Sequence, residues 1–398
     1  MMAGPYVCAG SGHRTKPMNT RIRRHPVNGF WAVTCFFNPG RFARRRHNHR
    51  LFRAHLPLPL ICVELSHDGE YELEKDDADV LIQIHSPHVM WQKERLLNLA
   101  IAALPPACTK VAWLDHDILF DREDWHRDAD RLLDRYSMLQ LFSRFTDLPP
   151  ETTDIFHARS QTSPSGHSFA HLYASASAHD DLFYTKSSNV LEIGDKGIHL
   201  RRNRSAGLAW AAHRALLERH GLYDACVIGS GDRAVTCAAY GRHDRSSQAW
   251  LRNERQLRHY YRWAAPFSRT VNGSVSCVEG EIFHLWHGDI EDRGYLDRHL
   301  GLERYRFDPF GDVMRDDAGC WRWNSHKPEM HDYVRRFFLM RNEDGWPHDA
   351  LRSTDASTPA ATGTDAAYRF NRDHVPSVTV NPSEALDTDF SLAAVTGG

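Results

Sequence analysis

The sequence predicts an α/β fold in which a mostly parallel sheet is flanked by helices. Three observations carry that prediction. Short apolar runs rich in β-branched and aromatic residues recur between Phe30 and Phe142, as expected of strands buried on both faces. Helical segments separate several of them, giving the order strand, helix, strand, strand, helix, strand. One run, Val111-Ala112-Trp113-Leu114, leads into Asp115-His116-Asp117, which places charge at the carboxyl edge of a sheet, where open α/β folds bind ligands.

Residues 1–28 hold Arg, His, Lys and Pro without the apolar centre of a secretory signal, and read as a disordered leader. Phe30–Phe37 is a strand stopped by Asn38-Pro39-Gly40. From Arg41 to Leu56, Phe42, His49, Phe52 and Leu56 recur at helical spacing, with Arg44-Arg45-Arg46 on a solvated face. Leu58–Leu65 and Val80–Ile84 are the next strands. Met90–Leu104 is a helix preceded by Pro87 and closed by Pro105-Pro106. After the strand that delivers the two aspartates come a helix, Trp125–Tyr136, and a strand, Ser137–Phe142. Residues 145–205 are rich in Ser, His, Thr and Asp and have little periodicity, so they predict a long lid-like excursion. Ala206–Arg214 predicts a helix reaching Gly221, and a second helix follows the turn Ile228-Gly229-Ser230-Gly231-Asp232 as far as Gly241. Glu281–Gly288 is a short strand ending in histidine. Beyond Trp346 the chain turns Thr/Ala/Asp/Pro/Ser-rich, which predicts a disordered tail over 346–398 and one folded domain over 29–345.

Composition narrows the class. A 41% hydrophobic and 25% charged chain of 398 residues is ordinary for a globular protein. A net charge of −2 gives no global grip on nucleic acid. No apolar run approaches the roughly 20 residues of a transmembrane segment. The eight cysteines form no C-x-x-C pair, which favours reduced thiols over a disulfide frame or a zinc site. A cytoplasmic protein is the resulting expectation, with peripheral contact to a membrane bearing lipid-linked glycans left open.

The chemistry-bearing residues fall in three separated segments. Asp115 and Asp117, two apart, project to one side of an extended chain and suit a hard divalent cation, though an acidic turn has the same pattern. Asp232, at a helix start, also fits an ordinary cap, which would lower its pKa unless burial offsets the effect. His284 and His287 would face opposite sides of a strand, so both can ligate one ion only if the chain turns there. Trp210 and Trp286 fit either core packing or stacking on a sugar.

In their order, these segments resemble the GT-A glycosyltransferases (a nucleotide-diphospho-sugar transferase, Rossmann-like fold). The likeness is to the family 2 type and, in the second half, to the β-1,4-galactosyltransferase and chondroitin-synthase C-terminal module. Asp115-His116-Asp117 stands where the D-x-D motif follows a strand. Gly207 to Trp210, with Arg214, resembles the segment before the acceptor site. Leu222-Tyr223-Asp224 followed by Ile228-Gly229-Ser230-Gly231-Asp232 resembles the family's GxxD…GxGxED stretch, and His284-Leu285-Trp286-His287-Gly288 its late metal-binding segment. The resemblance covers about residues 29–345.

It implies that Asp117 binds Mn²⁺ or Mg²⁺ on the diphosphate of a UDP-sugar donor, with Asp115 at the ribose or at the metal through water. His287 and His284 become further metal ligands, and Asp232 the general base. Thr34 and Glu64 lie against the nucleoside, Lys93 and Arg95 on the nucleotide side, and Gly207 and Trp210 beside the acceptor. The implied reaction moves a galactose, GalNAc or glucose type sugar to a hydroxyl of a saccharide or glycan acceptor, with inversion. Such chemistry needs a Lewis acid on the departing diphosphate and a carboxylate to take the acceptor's proton. Glycine at 231, where relatives often carry Glu, departs from the pattern. The alternatives are a retaining transferase, a sugar nucleotidyltransferase, or a non-catalytic glycan-binding protein on the same fold. A nucleotidyltransferase should show a Gly-rich phosphate loop after the first strand, and Asn38-Pro39-Gly40 is not one.

Overall fold

Strand β1 (Phe30–Phe37) alternates between two cores: Val33, Cys35 and Phe37 enter one apolar cluster, while Phe30, Ala32 and Phe36 enter the other. A strand with apolar residues on both faces is stable only inside a sheet covered on both sides. In this computed structural model, Val27 and residues 29–345 are described, apart from 153, 161–164, 177–178, 184–188, 195–196, 249–252 and 295–296. The predicted leader and tail lie outside the described residues, except at Val27.

After β1 come helix α1 (Ala43–His55), strands β2 (Leu60–Ser66) and β3 (Val80–His85), helix α2 (Lys93–Ala102), and strands β4 (Lys110–Leu114) and β5 (Ile118–Phe120). Helix α3 (Trp125–Leu133) leads to strands β6 (Met138–Gln140) and β7 (Arg144–Asp147). Then follow α4 (Ile155–Arg159), β8 (Gly166–Ser168), α5 (Phe169–Ser175), the hairpin β9 (Asn189–Gly194) and β10 (Gly197–Arg202), and β11 (Arg204–Ser205). The second half holds β12 (Ala209–His213), α6 (Arg214–His220), α7 (Gly231–Ala239), α8 (Glu254–Val271), β13 (Val275–Cys277) and β14 (Glu281–His284). It ends with α9 (Asp297–Glu303), the pair β15 (Val313–Arg315) and β16 (Trp321–Trp323), and α10 (Pro328–Leu339).

The main sheet has the order β13-β6-β12-β4-β1-β2-β3. Pairings β1–β2, β1–β4, β2–β3 and β13–β6 are parallel, and only β12 runs against its neighbours. Helices α2, α6, α7, α8 and α10 pack on one face, α1 and α3 on the other. The predicted mixed α/β architecture, a mostly parallel sheet between helices, is the one found. A second sheet, β11-β8-β7-β14-β5, stands at the carboxyl edge of the first.

Two local expectations need correction. Ala209–His213 is a strand rather than part of a helix: Ala209 to Ala212 are buried between β4 and β6, and Trp210 lies directly opposite Trp113. A short alanine-rich apolar run has no periodicity that separates buried helix from buried strand, and here tertiary pairing outweighs propensity. The segment 145–205, expected as an aperiodic excursion, supplies β7, β8, β11, α4, α5 and the β9–β10 hairpin. Its shortest strands, β8 and β11, have three and two residues, too short for alternation to register.

Candidate active site

Asp117 lies between β4 and β5, and β5 pairs antiparallel with β14, setting His284 opposite Ile118. The Leu285 N–H bonds the Asp117 carbonyl at 2.8 Å, continuing that ladder past the strand end. β14 stops at His284, and the turn of the chain after it brings His287 round to the same side. Hence the Asp117 carboxylate sits 3.2 Å from His287 Nε2 and 3.8 Å from His284 Nε2, and the two ring nitrogens are 3.2 Å apart. Asp117 Oδ1 is buried without a hydrogen-bond partner.

Supporting carboxylates stand behind both rings. His284 Nδ1 donates to Asp147 Oδ1 at 2.8 Å, which makes Nε2, on the Asp117 side, the acceptor nitrogen of the neutral ring. His287 Nδ1 faces Glu343 at 3.7 Å. Burial would raise the Glu343 carboxyl, but Arg45 and Arg341 outweigh it and hold the group well below its usual range. Arg45 reaches both Glu343 oxygens at 3.1 and 3.0 Å, Arg341 one at 2.6 Å. Burial, aided by Arg293, pushes His287 well below 6.5, so this imidazole is neutral and ready to ligate. The two ring nitrogens converge beside a buried carboxylate oxygen that has no hydrogen-bond partner, and this donor set fits a divalent ion.

The other half of the site is acidic and held by one lysine. Lys93 Nζ reaches Asp115 Oδ1 at 2.5 Å and the Asp232 oxygens at 3.0 and 2.9 Å. Burial alone would lower the Lys93 pKa; the two carboxylates outweigh it and keep the group charged. Asp232 does not cap α7, whose N-cap is Ser230. Burial raises its pKa despite Lys93, so burial offsets what a helix start alone would do to the carboxyl. Two glycines make this packing feasible. A Cβ on Gly207 would fall 2.6 Å from Asp232 Oδ2, and one on Gly231 would fall 2.1 Å from both Cδ and Oε1 of Glu94. Leu208 and Ser230 hold left-handed backbone, φ 77° and 82°, which side-chain-bearing residues rarely adopt at no cost.

One cavity of about 260 Å³ contains both halves, and its lining includes Thr34, Lys93, Asp115, Asp117, Gly207, Asp232, His284 and His287. Thr34 donates its hydroxyl to the Leu114 carbonyl at 2.7 Å, tying the middle of β1 to the residue before the acids. The other three predicted residues lie elsewhere. Glu64 is 2% exposed and occupied by the backbone N–H groups of Glu72 and Leu73 and by Gln83. Arg95 pairs with Asp224 at 2.9 Å. Trp210 is 1% exposed, stacks on Trp113 and donates its indole N–H to Ala206, so it packs the core instead of facing a sugar. Sequence reasoning missed Asp147, Glu343 and Glu94. None carries a motif, and each matters through a partner far off along the chain, except that Glu94 adjoins Lys93.

No family model matches this chain, and no curated protein does. Among solved structures, it is similar to glucosyl-3-phosphoglycerate synthase from Mycobacterium tuberculosis in complex with Mg²⁺ and uridine diphosphate, at 9% identity, 74% of this chain, 87% of that chain and TM-score 0.32. It is also similar to the mannosyltransferase PcManGT from Pyrobaculum calidifontis in complex with GDP-Man and Mn²⁺, at 11% identity, 82% of this chain, 72% of that chain and TM-score 0.31. A third is 4-diphosphocytidyl-2C-methyl-D-erythritol synthase from Anaerococcus prevotii, at 11% identity, 64% of this chain, 90% of that chain and TM-score 0.24. With overlaps this partial, the site rests on the chain's own geometry.

Proposed function

We propose that this chain is a metal-dependent, inverting glycosyltransferase of the GT-A type, moving a hexose-type sugar from a UDP-sugar to a hydroxyl of a saccharide acceptor. The observation that carries the reading is the convergence of Asp117, His284 and His287 in one cavity with a buried, lysine-held Asp232. Asp117, His284 and His287 would hold the ion, and two imidazoles favour Mn²⁺ over Mg²⁺, which prefers oxygen ligands. When bound, such an ion supplies Lewis-acid stabilisation of the diphosphate leaving group.

The remaining work belongs to side chains. Asp232 takes the acceptor hydroxyl's proton during attack, and its raised pKa makes it a better base than a surface carboxylate. Lys93 orients Asp232 and Asp115 through paired hydrogen bonds. Asp115, just past the carboxyl end of β4, and Thr34, within β1, both line the cavity and would face the nucleoside in this reading; Glu64 and Arg95, outside it, would not. A single base in the acceptor path implies inversion at the anomeric carbon.

The test is a UDP-release screen over common nucleotide sugars with and without Mn²⁺, followed by NMR of the product anomer. Mn²⁺-dependent UDP release with an inverted anomer is expected. Pyrophosphate release would replace the reading with nucleotidyl transfer, a retained anomer would remove the single-base mechanism, and UDP binding without turnover would favour a binding protein.

A further inference from the structure

We propose that His171, Cys277 and Glu279 form a second metal site, selective for a soft divalent ion of the zinc class, where α5 meets β13. Their ligating atoms lie within 4.8 Å of one another, in side chains outside the cavity lining. Cys277 ends β13, and the Val278 N–H still bonds the Gln140 carbonyl of β6 at 2.9 Å. Cys277 and Glu279 therefore project to one side, while Val278 is buried on the other. His171, in the first turn of α5, is fixed by its own N–H bond to the Ser168 hydroxyl at 3.1 Å.

Distances and ligand types agree with this assignment. His171 Nδ1 and Glu279 Oε1 are 3.7 Å apart, too far for a hydrogen bond. Two tetrahedral ligands about 2.1 Å from a shared zinc ion stand roughly 3.4 Å apart. A further imidazole, His167, stacks on His171 with ring centroids 5.0 Å apart, and its Nδ1 is buried without a hydrogen-bond partner. Thiolate with imidazole selects zinc-class ions over Mn²⁺ and Mg²⁺, so the two sites would sort ions by softness. Binding displaces the Cys277 thiol proton to solvent and forms the metal–sulfur bond.

The site would tie one wall of the cavity to the sheet. Phe169, at the start of α5, lines the cavity. Gln140 accepts from the Ala170 N–H and donates to the Ser205 and Gly207 carbonyls at the cavity rim. An ion joining α5 to β13 reinforces that connection from outside.

Co²⁺ titration of the full-length protein tests the proposal, because the Asp117–His284–His287 set contains no sulfur. A thiolate-to-cobalt charge-transfer band is expected, competed away by Zn²⁺, lost in Cys277→Ser and kept in Cys35→Ser, which alters the thiol lining the principal cavity. His171→Ala and Glu279→Gln should weaken Zn²⁺ binding by more than the roughly tenfold that a supporting residue contributes. Circular dichroism of each variant establishes that it is folded. Absence of the band at saturating Co²⁺, or its survival in folded Cys277→Ser, would overturn the assignment.

Discussion

Gly231 tests the packing of the acidic half most directly. Alanine there would set its Cβ 2.1 Å from Glu94 Cδ and Oε1 and 2.7 Å from Cγ, against roughly 3.5–4 Å for ordinary carbon contacts. Glu94 is 3% exposed, so its carboxyl has no solvent to retreat into. Relieving the overlap displaces α7 or the glutamate by more than 1 Å by that comparison, and overpacking of this kind costs about 1–3 kcal/mol. Alanine's helical preference over glycine, at most about 1 kcal/mol at the start of α7, offsets part of that. Glu94→Ala empties the space, so in that background Gly231→Ala should be neutral or slightly stabilising. The coupling in the double-mutant cycle should reach about 1–3 kcal/mol. Urea denaturation followed by tryptophan fluorescence measures all four proteins. Equal cost with and without the glutamate, within about 0.5 kcal/mol, would show that Glu94 does not occupy the room left by Gly231.

Other expectations follow from the same geometry. Burial, reinforced by Asp232, pushes Glu94 up to about 8 from an ordinary 4.5, so the folded form retains a proton that the unfolded chain releases between those values. Folding stability attributable to this group is therefore lost as pH rises through that window. The stability of Glu94→Gln relative to the parent should climb by up to about 1.4 kcal/mol per pH unit there, and a flat difference from pH 5 to 8 would disprove the shift. Asp147→Asn should weaken Mn²⁺ binding by about 10–100-fold in calorimetry while leaving all three ligands in place; unchanged affinity would mean His284 needs no such support. Asp232→Asn should slow transfer by about 10²–10⁴-fold while UDP and Mn²⁺ binding persist, and full activity would remove it as the base.

The longer strands and helices of the first half were legible because each has a consistent pattern. β1 matches its predicted segment and stops at Asn38-Pro39-Gly40, while α2 (Lys93–Ala102) lies inside the predicted Met90–Leu104 and ends before Pro105-Pro106. α8 went unread although it is an 18-residue amphipathic helix, because Pro266 and a run of aromatic and basic residues obscure its apolar stripe. Ala209–His213 was misread because an apolar segment buried on both sides has no polar face to reveal its period.

For the site, the local sequence determined which groups had the right chemistry: two acids after a buried strand, an acid in a glycine turn, and a pair of histidines. Whether they meet was decided by the β5–β14 ladder, which joins positions 118 and 284, and by the chain turning after that strand. The same pairing logic removed Trp210 and Glu64, whose residue types suited a ligand but whose partners are Trp113 and the Leu73 backbone. It also supplied Asp147, Glu343 and Glu94, which no motif marks. A one-dimensional pattern records what a residue can do and which way it points along its own element. Which distant residue completes it depends on strand register and helix packing, set by the burial of the whole core and not by any short stretch.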